Sequence, residues 1–568
     1  MTLVKKSVRF NKPLFVTHRY FADRPLFVDK LLLDKPSLDK PSLDKPSLDK
    51  PSLDKPSGPL YDKFVGFLAL SKIDYKKHQY EGVDWCVKNE TEGALGLKAR
   101  GGFIADEMGL GKTIMMIAVM AINFQPKTLI VVPPVLLRQW AAEIFRTTGH
   151  QPLVYHGKAK KDCKDEELLK APIVLVTYHS VALSKKTPKL SPLHLISWSR
   201  VIFDEAHHLR NRNTTRFIGC KAVKAPIRWL VSGTPVQNRK QDFYSLCNAA
   251  GLPPSFYTED ENLHLIVKHF VLKRTKKQAG IGLAEPIVDE VCVKWQTGNE
   301  CKLSQEIHSA LKFSGVVPLK EEDSALAVEL KKIGVLQLIL RARQSCILPR
   351  LMKGPIDMLI TQGCIEALDQ YSNAGDYSSK LDEVTRVLLE RRDNDNGKLV
   401  FCHFREEIDE IATRLRAGGV KKVVTFDGRN TGASRMKALE EPCDALIMQI
   451  QTGCEGLNLQ ANYSEIYFVS PHWNPAIEDQ AIARCYRIGQ KKQVYVFRFM
   501  MDGFGSMKVP PEKEGEGFKK DVWRETIALD GYVSLVQDFK RDLQEEVMGK
   551  LPVAKAVLVP MAVAVPVQ

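Results

Sequence analysis

Short, uninterrupted apolar runs, each closed by a polar or turn-forming residue, constrain the fold of this chain more than any other feature. TLIVVPP (128–134), APIVLVTY (171–178) and RVIFDE (200–205) each read as a strand buried on both faces, with helical stretches between them. Strands of that kind belong in a parallel sheet covered by helices on both sides. The pattern lapses between about 252 and 378, where charged helical stretches such as KEEDSALAVELKKIGVLQLILRARQ dominate. It resumes in KLVFCHF (398–404), KKVVTFDG (421–428), DALIMQI (444–450) and SEIYFVS (464–470). The expected architecture is α/β: one parallel-sheet lobe at 61–252, a helical insert at 253–378 and a second lobe at 379–505. A C-terminal helical extension and floppy tail follow at 506–568.

A chain of 568 residues is too long for one core, which agrees with two lobes. Ahead of them, residues 1–60 read as a disordered linker, because five tandem LDKPS copies fill 33–57. A proline every fifth residue forbids a helix and removes sheet donors. If extended as polyproline II, the repeats reach about 78 Å at ~3.1 Å per residue. They are a passive tether or, on the sharper reading, a partner-binding repeat. The twelve cysteines never fall in a C-x-x-C pair, which argues against a structural zinc module. Their scatter suits a reducing compartment. No run of ~18 apolar residues appears, so no membrane span is expected. A formal charge of +15 favours an anionic partner, nucleic acid first.

The stretch ADEMGLGKT (105–113) carries the chemistry. Gly109 and Gly111 permit the close backbone approach of a phosphate-wrapping loop. Lys112 offers a charge for β/γ-phosphates and Thr113 a hydroxyl for Mg²⁺. The apolar IMMIAVMAI that follows suits a helix, so the loop opens onto a helix N-terminus, itself an anion site. A strict phosphate loop has glycine where this chain has Asp106, and a surface turn is the alternative. Some 90 residues on, the strand VIFDEAH ends in two acids. Asp204 suits Mg²⁺, and Glu205 suits the base that orients an attacking water. His207 and His208 are adjacent and expected to face different ways, which disfavours a metal site and leaves His207 a coupling role. Gln480, Arg484 and Arg487 are spaced by four and three, one face of a helix. Arginines from a second lobe can stabilise charge on the γ-phosphate, Arg487 as the finger and Arg484 as its companion; a solvated basic helix is the alternative.

ADEMGLGKT, DEAH and VSGTPVQN (231–238) together resemble motifs I, II and III of the Swi/Snf-type ATPases of helicase superfamily two. That resemblance implies two RecA-like lobes, ATP and Mg²⁺, and makes Asp106 a family trait. It implies that Asp106 and Glu107 point away from phosphate, leaving the amides of 106–113 (with Met108 and Leu110) to bind it. It places Gln79 of YKKHQYEGVDW on the adenine, and Ala206, His207, Ser232, Gly233 and Thr234 in coupling. PPVLLRQWAAEI is similar to motif Ia and VLVTYHSV to the next nucleic-acid-facing motif. FVLKRTKK and LILRARQSC are similar to signatures flanking the helical insert. TGCEGLNLQ (452–460) looks like motif V, with Gly456 at nucleotide. SPHWNPAIEDQAIARCYRIGQKKQVYVFRF looks like motif VI, with Gln480 at nucleotide. Cys454 and Glu455 depart from motif V, and Glu455 is an unexpected charge near nucleic acid. DEAHHLRN leans towards the branch of repair and transcription-termination ATPases, without the cysteines of a RING insert.

The resemblance implies DNA-dependent ATP hydrolysis and translocation on double-stranded DNA, acting on nucleosomes or other DNA-bound proteins. It implies a location in the nucleus or, for a member encoded by a large DNA virus, at the replication site. A strand-separating helicase and a nucleotide-responsive DNA-binding scaffold are the alternatives. Arg138, Thr177, Arg274, Thr452 and Trp473 are the principal nucleic-acid candidates. Arg210, Arg212, Lys273, Lys276, Lys491 and Lys492 stand beside them as phosphate contacts or solvated surface charges. Trp473 either stacks on nucleic acid or supports the core.

Overall fold

The computed structural model describes residues 57–186, 188–235, 239–311, 324–429, 442–453, 458–509 and 522–548. The LDKPS repeats lie outside the described residues, save the last serine.

The first lobe is a seven-stranded sheet in the order β3-β4-β2-β5-β6-β1-β7, every pair parallel. Its strands are β1 (Arg100–Ile104), β2 (Thr128–Val132), β3 (Leu153–Val154), β4 (Ile173–Thr177), β5 (Arg200–Asp204), β6 (Ile227–Val231) and β7 (Val271–Leu272). β2, β5 and β6 are buried along their whole length, which is why they read as unbroken apolar runs. Helices Pro59–Ser71, Lys77–Thr91, Lys112–Ile122 and Leu137–Thr148 pack on one face. Thr215–Ala222, Lys240–Ala250 and Leu263–Phe270 pack on the other.

The second sheet has six parallel strands in the order β10-β11-β9-β12-β13-β8. They are β8 (Ile287–Val293), β9 (Gly397–Cys402), β10 (Val423–Phe426), β11 (Ala445–Gln449), β12 (Tyr463–Phe468) and β13 (Tyr495–Met501). The helical insert is no separate body. Leu326, Leu338, Met352 and Ile356 share one apolar core with Val400, Ile447 and Tyr467 of this sheet.

Three expectations differ from the structure. The insert gives up two strands near the N-terminal end of 253–378, since β7 completes the first sheet and β8 edges the second. Both are edge strands, one of two residues and the other exposed over most of its length, so neither shows a buried run. The C-terminal extension begins with an antiparallel pair of strands, β14 (Ser506–Val509) and β15 (Val522–Glu525), before its helix Leu529–Val547. That helix ties the lobes together. Leu529 and Val533 enter the second lobe's core, while Val547 and Met548 enter the first lobe's.

Candidate active site

The carboxyl ends of β1, β5 and β6 lie side by side, where open α/β sheets bind ligands. After β1 the chain turns through Gly109 (φ +92°) and Gly111 (φ +85°) into the helix that starts at Lys112. The helix is buried from Met115 to Met120, which fixes the loop against the core. Lys112 Nζ donates to the Asp106 carbonyl at 2.8 Å. Burial pushes its pKa down, partly offset by Glu205, Asp106 and Asp204.

Both acids of the loop turn back into the protein. The Asp106 carboxylate is fully buried and accepts two bonds from Arg274, from Nη2 at 2.6 Å and Nε at 3.1 Å. Glu107 accepts the Lys276 backbone N–H at 2.8 Å and pairs with its ammonium. The segment after β7 thus buttresses the loop, and the Ala105 and Glu107 amides donate to Leu272 and Arg274 carbonyls. Two expectations are corrected here. Arg274 is spent on Asp106 and the His78 carbonyl, so it does not face a nucleic acid. The Glu107 and Leu110 amides are engaged within the protein and are not open to phosphate. Gln79 lies over the loop, its Nε2 2.4 Å from where a Cβ on Gly111 would stand and 3.4 Å from the Leu110 carbonyl.

At the end of β5, Asp204 is clamped from three sides. The Trp140 indole donates to Oδ2 at 2.7 Å, the Glu205 amide to Oδ1 at 3.0 Å, and the Tyr178 hydroxyl to its carbonyl at 2.7 Å. Burial and then the neighbouring Glu205 charge raise its pKa. Burial alone would raise Glu205 as well, but His207, Lys112 and Arg484 outweigh it and hold that carboxyl down. Glu205 stands at φ +50°, the left-handed region that a side chain rarely adopts. Such strain concentrates at functional sites. His207 Nδ1 lies 3.3 Å from Glu205 Oε2. The two histidines do not diverge as expected. In the tight turn Ala206–Leu209 their rings lie 4.7 Å apart and tilted by 33°, with Tyr178 beyond His208. After β6, the Ser232 amide bonds the Ile104 carbonyl, Thr234 bonds Ser232, and Gly233 abuts Met108.

The second lobe closes this cavity. Helix Pro475–Ile482 ends before either arginine, so Gln480, Arg484 and Arg487 do not form one helical face. Gln480 is buried in the helix, and Arg484 and Arg487 come from the turn that follows. The turn forms because the Leu459 amide takes the Arg484 carbonyl and Gln490 bonds three carbonyls, among them that of Cys485. Both arginines line one cavity with Gly109, Lys112, Thr113, Trp140, Asp204 and Glu205. A Cβ on Gly109 would stand 2.9 Å from Arg487 Cβ, so that glycine is where the lobes touch.

The remaining nucleic-acid candidates divide. Arg138, Lys491 and Lys492 are exposed. Thr177 is fully buried and caps the turn Tyr178–Val181, which removes it as a contact. Trp473 packs edge-on against Tyr532 and beneath Arg343, so it supports the core rather than a base. Lys276 is buried, and Arg212 lies over the Tyr257 ring. Gly456, Cys454 and Glu455 fall outside the described residues, as does the side chain of Thr452. Sequence reasoning missed Trp140 and Asn458, whose side chain accepts from Arg487. The only signals for them are the tryptophan in RQWAAEI and the amide in GLNLQ.

Two family models match this chain. The SNF2-related domain matches residues 78–351, and the helicase conserved C-terminal domain matches 379–489. The "Probable global transactivator" of Orgyia pseudotsugata multicapsid polyhedrosis virus is 29% identical over 76% of this chain and 87% of its own length. The "Uncharacterized ATP-dependent helicase MG018" of Mycoplasma genitalium is 29% identical over 75% of this chain and 40% of its own. The human "DNA excision repair protein ERCC-6-like" is 27% identical over 79% and 41%. This chain therefore spans well under half of those last two. Among solved structures, the Sulfolobus solfataricus SWI2/SNF2 ATPase core in complex with dsDNA aligns at TM-score 0.35 and 22% identity, covering 76% of this chain and 89% of that one.

Proposed function

The chain belongs to the SNF2-related, helicase-like family of ATP-hydrolysing proteins, and from that premise we propose that it translocates on double-stranded DNA and remodels protein–DNA complexes. The observation that carries the reading is the meeting of Arg484 and Arg487 with Lys112, Asp204 and Glu205 around one cavity. Lys112 attracts the β/γ-phosphates, and Glu205, kept ionised by its neighbours, orients the attacking water and takes its proton. Arg484 and Arg487 offset charge that develops on the transferred group. The hydroxyl of Thr113 and the buried carboxylate of Asp204 line the same cavity and are hard oxygen donors, a set that fits Mg²⁺. When bound, the ion would neutralise phosphate charge. Since both arginines come from the second lobe and their partners from the first, turnover alternates a gripped and a released state of whatever spans both lobes. Exposed Arg138, Lys491 and Lys492 suit a phosphate backbone, gripped without reading sequence. Nucleosomes or other DNA-bound proteins, in a nucleus or at a viral replication site, are the expected targets.

The test compares ATPase rates with duplex, single strands, RNA and nucleosomes. Duplex should stimulate most, with the effect falling steeply as salt rises. The protein should strip a third strand from a triplex while leaving a flush duplex paired. Stronger stimulation by single strands or RNA overturns the duplex assignment, and efficient splitting of the flush duplex makes it a strand-separating helicase.

A further inference from the structure

Lys276 is a buried cation with no part in the phosphate chemistry just described. It follows β7 in the first lobe and is only 3% exposed. On one side its ammonium and its backbone N–H both bond the Glu107 carboxylate. On the other side the ammonium stands 4.1 Å from the centre of the Tyr486 ring, which belongs to the second lobe. Tyr486 immediately precedes Arg487, whose Cβ is the atom nearest to Gly109's missing side chain, with Lys276 Cε beside it at 3.5 Å. A lysine needed only to neutralise Glu107 had no reason to lie against an aromatic face of the other lobe. Nor is the position an easy one for a cation, because burial disfavours the charge first and Arg487 adds to it, with Glu107 opposing both. The aromatic face and Glu107 are what make the position tenable.

We propose that Lys276 is a clasp between the lobes, in which Glu107 of the phosphate loop and the Tyr486 ring share one ammonium and so seat Arg487 on Gly109. Lys276 is thus a positioning residue: it touches neither phosphate nor nucleic acid, and acts through Tyr486 on Arg487. It gives Glu107 a use beyond turning aside from the cavity, since that acid holds the cation that reports on the loop to the second lobe. The clasp rests on the ATPase reading for its effect on rate, but not for its effect on lobe closure.

The experiment is a double-mutant cycle on the full chain with Lys276→Met and Tyr486→Leu, singly and together, and Tyr486→Phe alongside. Losing a desolvated cation–π contact should lower DNA-stimulated kcat about tenfold in each single variant, and about tenfold in total, not a hundredfold, in the double. Binding of a fluorescent ATP analogue should stay within about threefold, since the phosphate ligands are intact. Tyr486→Phe keeps the ring and should retain several times the rate of Tyr486→Leu. Small-angle X-ray scattering reads lobe closure without turnover: Lys276→Met and Tyr486→Leu should each be more extended than wild type. Rates that multiply to about a hundredfold loss, or a wild-type rate in either single variant, overturn the clasp. Wild type that hydrolyses no ATP, yet opens on loss of Lys276, sinks the functional reading and leaves the clasp standing.

Discussion

Acid should loosen the C-terminal helix from the second lobe, and His308 sets the size of the effect. Its ring is fully buried. Nδ1 lies 2.7 Å from the Ser304 carbonyl, which can only accept, so Nδ1 carries the proton. Nε2 lies 3.0 Å from the Leu529 amide, which can only donate, so Nε2 must be bare. Burial therefore lowers the pKa of His308 to about 4, with the Ser304 carbonyl and Asp530 opposing only in part. A depressed histidine contributes stability that is complete above its ordinary 6.5 and lost as pH falls towards 4. At ~1.4 kcal/mol per tenfold, that loss comes to about 3 kcal/mol. It falls on the first residue of the helix that joins both cores. Denaturant unfolding from pH 7.5 to 4 should show wild type losing about 3 kcal/mol more than His308→Gln, which cannot titrate. Amides from Leu529 to Val533 should gain hydrogen exchange over the same window, after correction for the intrinsic rate. His403 and His472 are also buried with lowered pKa values, but they titrate in both proteins and cancel in the difference. Parallel pH profiles for wild type and variant would refute the reasoning.

Gly109→Ala places a Cβ against Arg487 at a residue with φ +92°. Left-handed backbone costs about 1–2 kcal/mol and the clash holds the lobes apart, so kcat should fall at least tenfold while DNA retention on a filter persists. Trp140→Phe leaves a buried Asp204 oxygen without its donor, at a cost of about 1–3 kcal/mol. A Mg²⁺ titration of the ATPase should move to higher concentration, and an unmoved titration with an unmoved melting curve would dismiss the clamp. Glu90→Gln uncouples a pair whose side chains are both fully buried, with Trp229 and Asn123 bonded to the same carboxylate. Stranding the Arg200 charge should cost about 3–5 kcal/mol in urea unfolding of the first lobe; a loss below ~1 kcal/mol contradicts that.

The central strands were legible because both of their faces are buried, which leaves an unbroken apolar run in the sequence. β7 and β8 were hidden for the opposite reason: an edge strand needs neither length nor a continuous apolar face. The residue types around the phosphate loop were legible too, since glycine, lysine and paired acids have few other uses at those spacings. What local pattern cannot carry is a long-range partner. Arg274 and Lys276 look like surface cations until Asp106 and Glu107, nearly 170 residues away, fold against them. Trp140 looks like any helix tryptophan until Asp204 reaches it from β5. Arg484 and Arg487 kept a helical spacing, yet the bond between the Arg484 carbonyl and Leu459 ends the ladder. The intervals were helical while the turn was decided elsewhere.

Four carboxylates crowd a site that is to hold a triphosphate, and their arrangement explains how it can. Asp106 and Glu107 are neutralised from behind by Arg274 and Lys276, so they add little field to the cavity. Asp204 and Glu205 face it, opposite Lys112, Arg484 and Arg487. Three cations against two acids leave an excess positive charge in a largely desolvated space. The strain is visible at Arg487, where burial and then Arg484 lower the pKa. Closing the lobes is therefore opposed by the charges of the site itself until an anion enters, and a triphosphate removes that opposition. On the proposed ATPase reading, the same charge balance favours the closed state only while the phosphates of ATP are present. On that reading, hydrolysis and phosphate loss would restore the repulsion, so that opening needs no separate device.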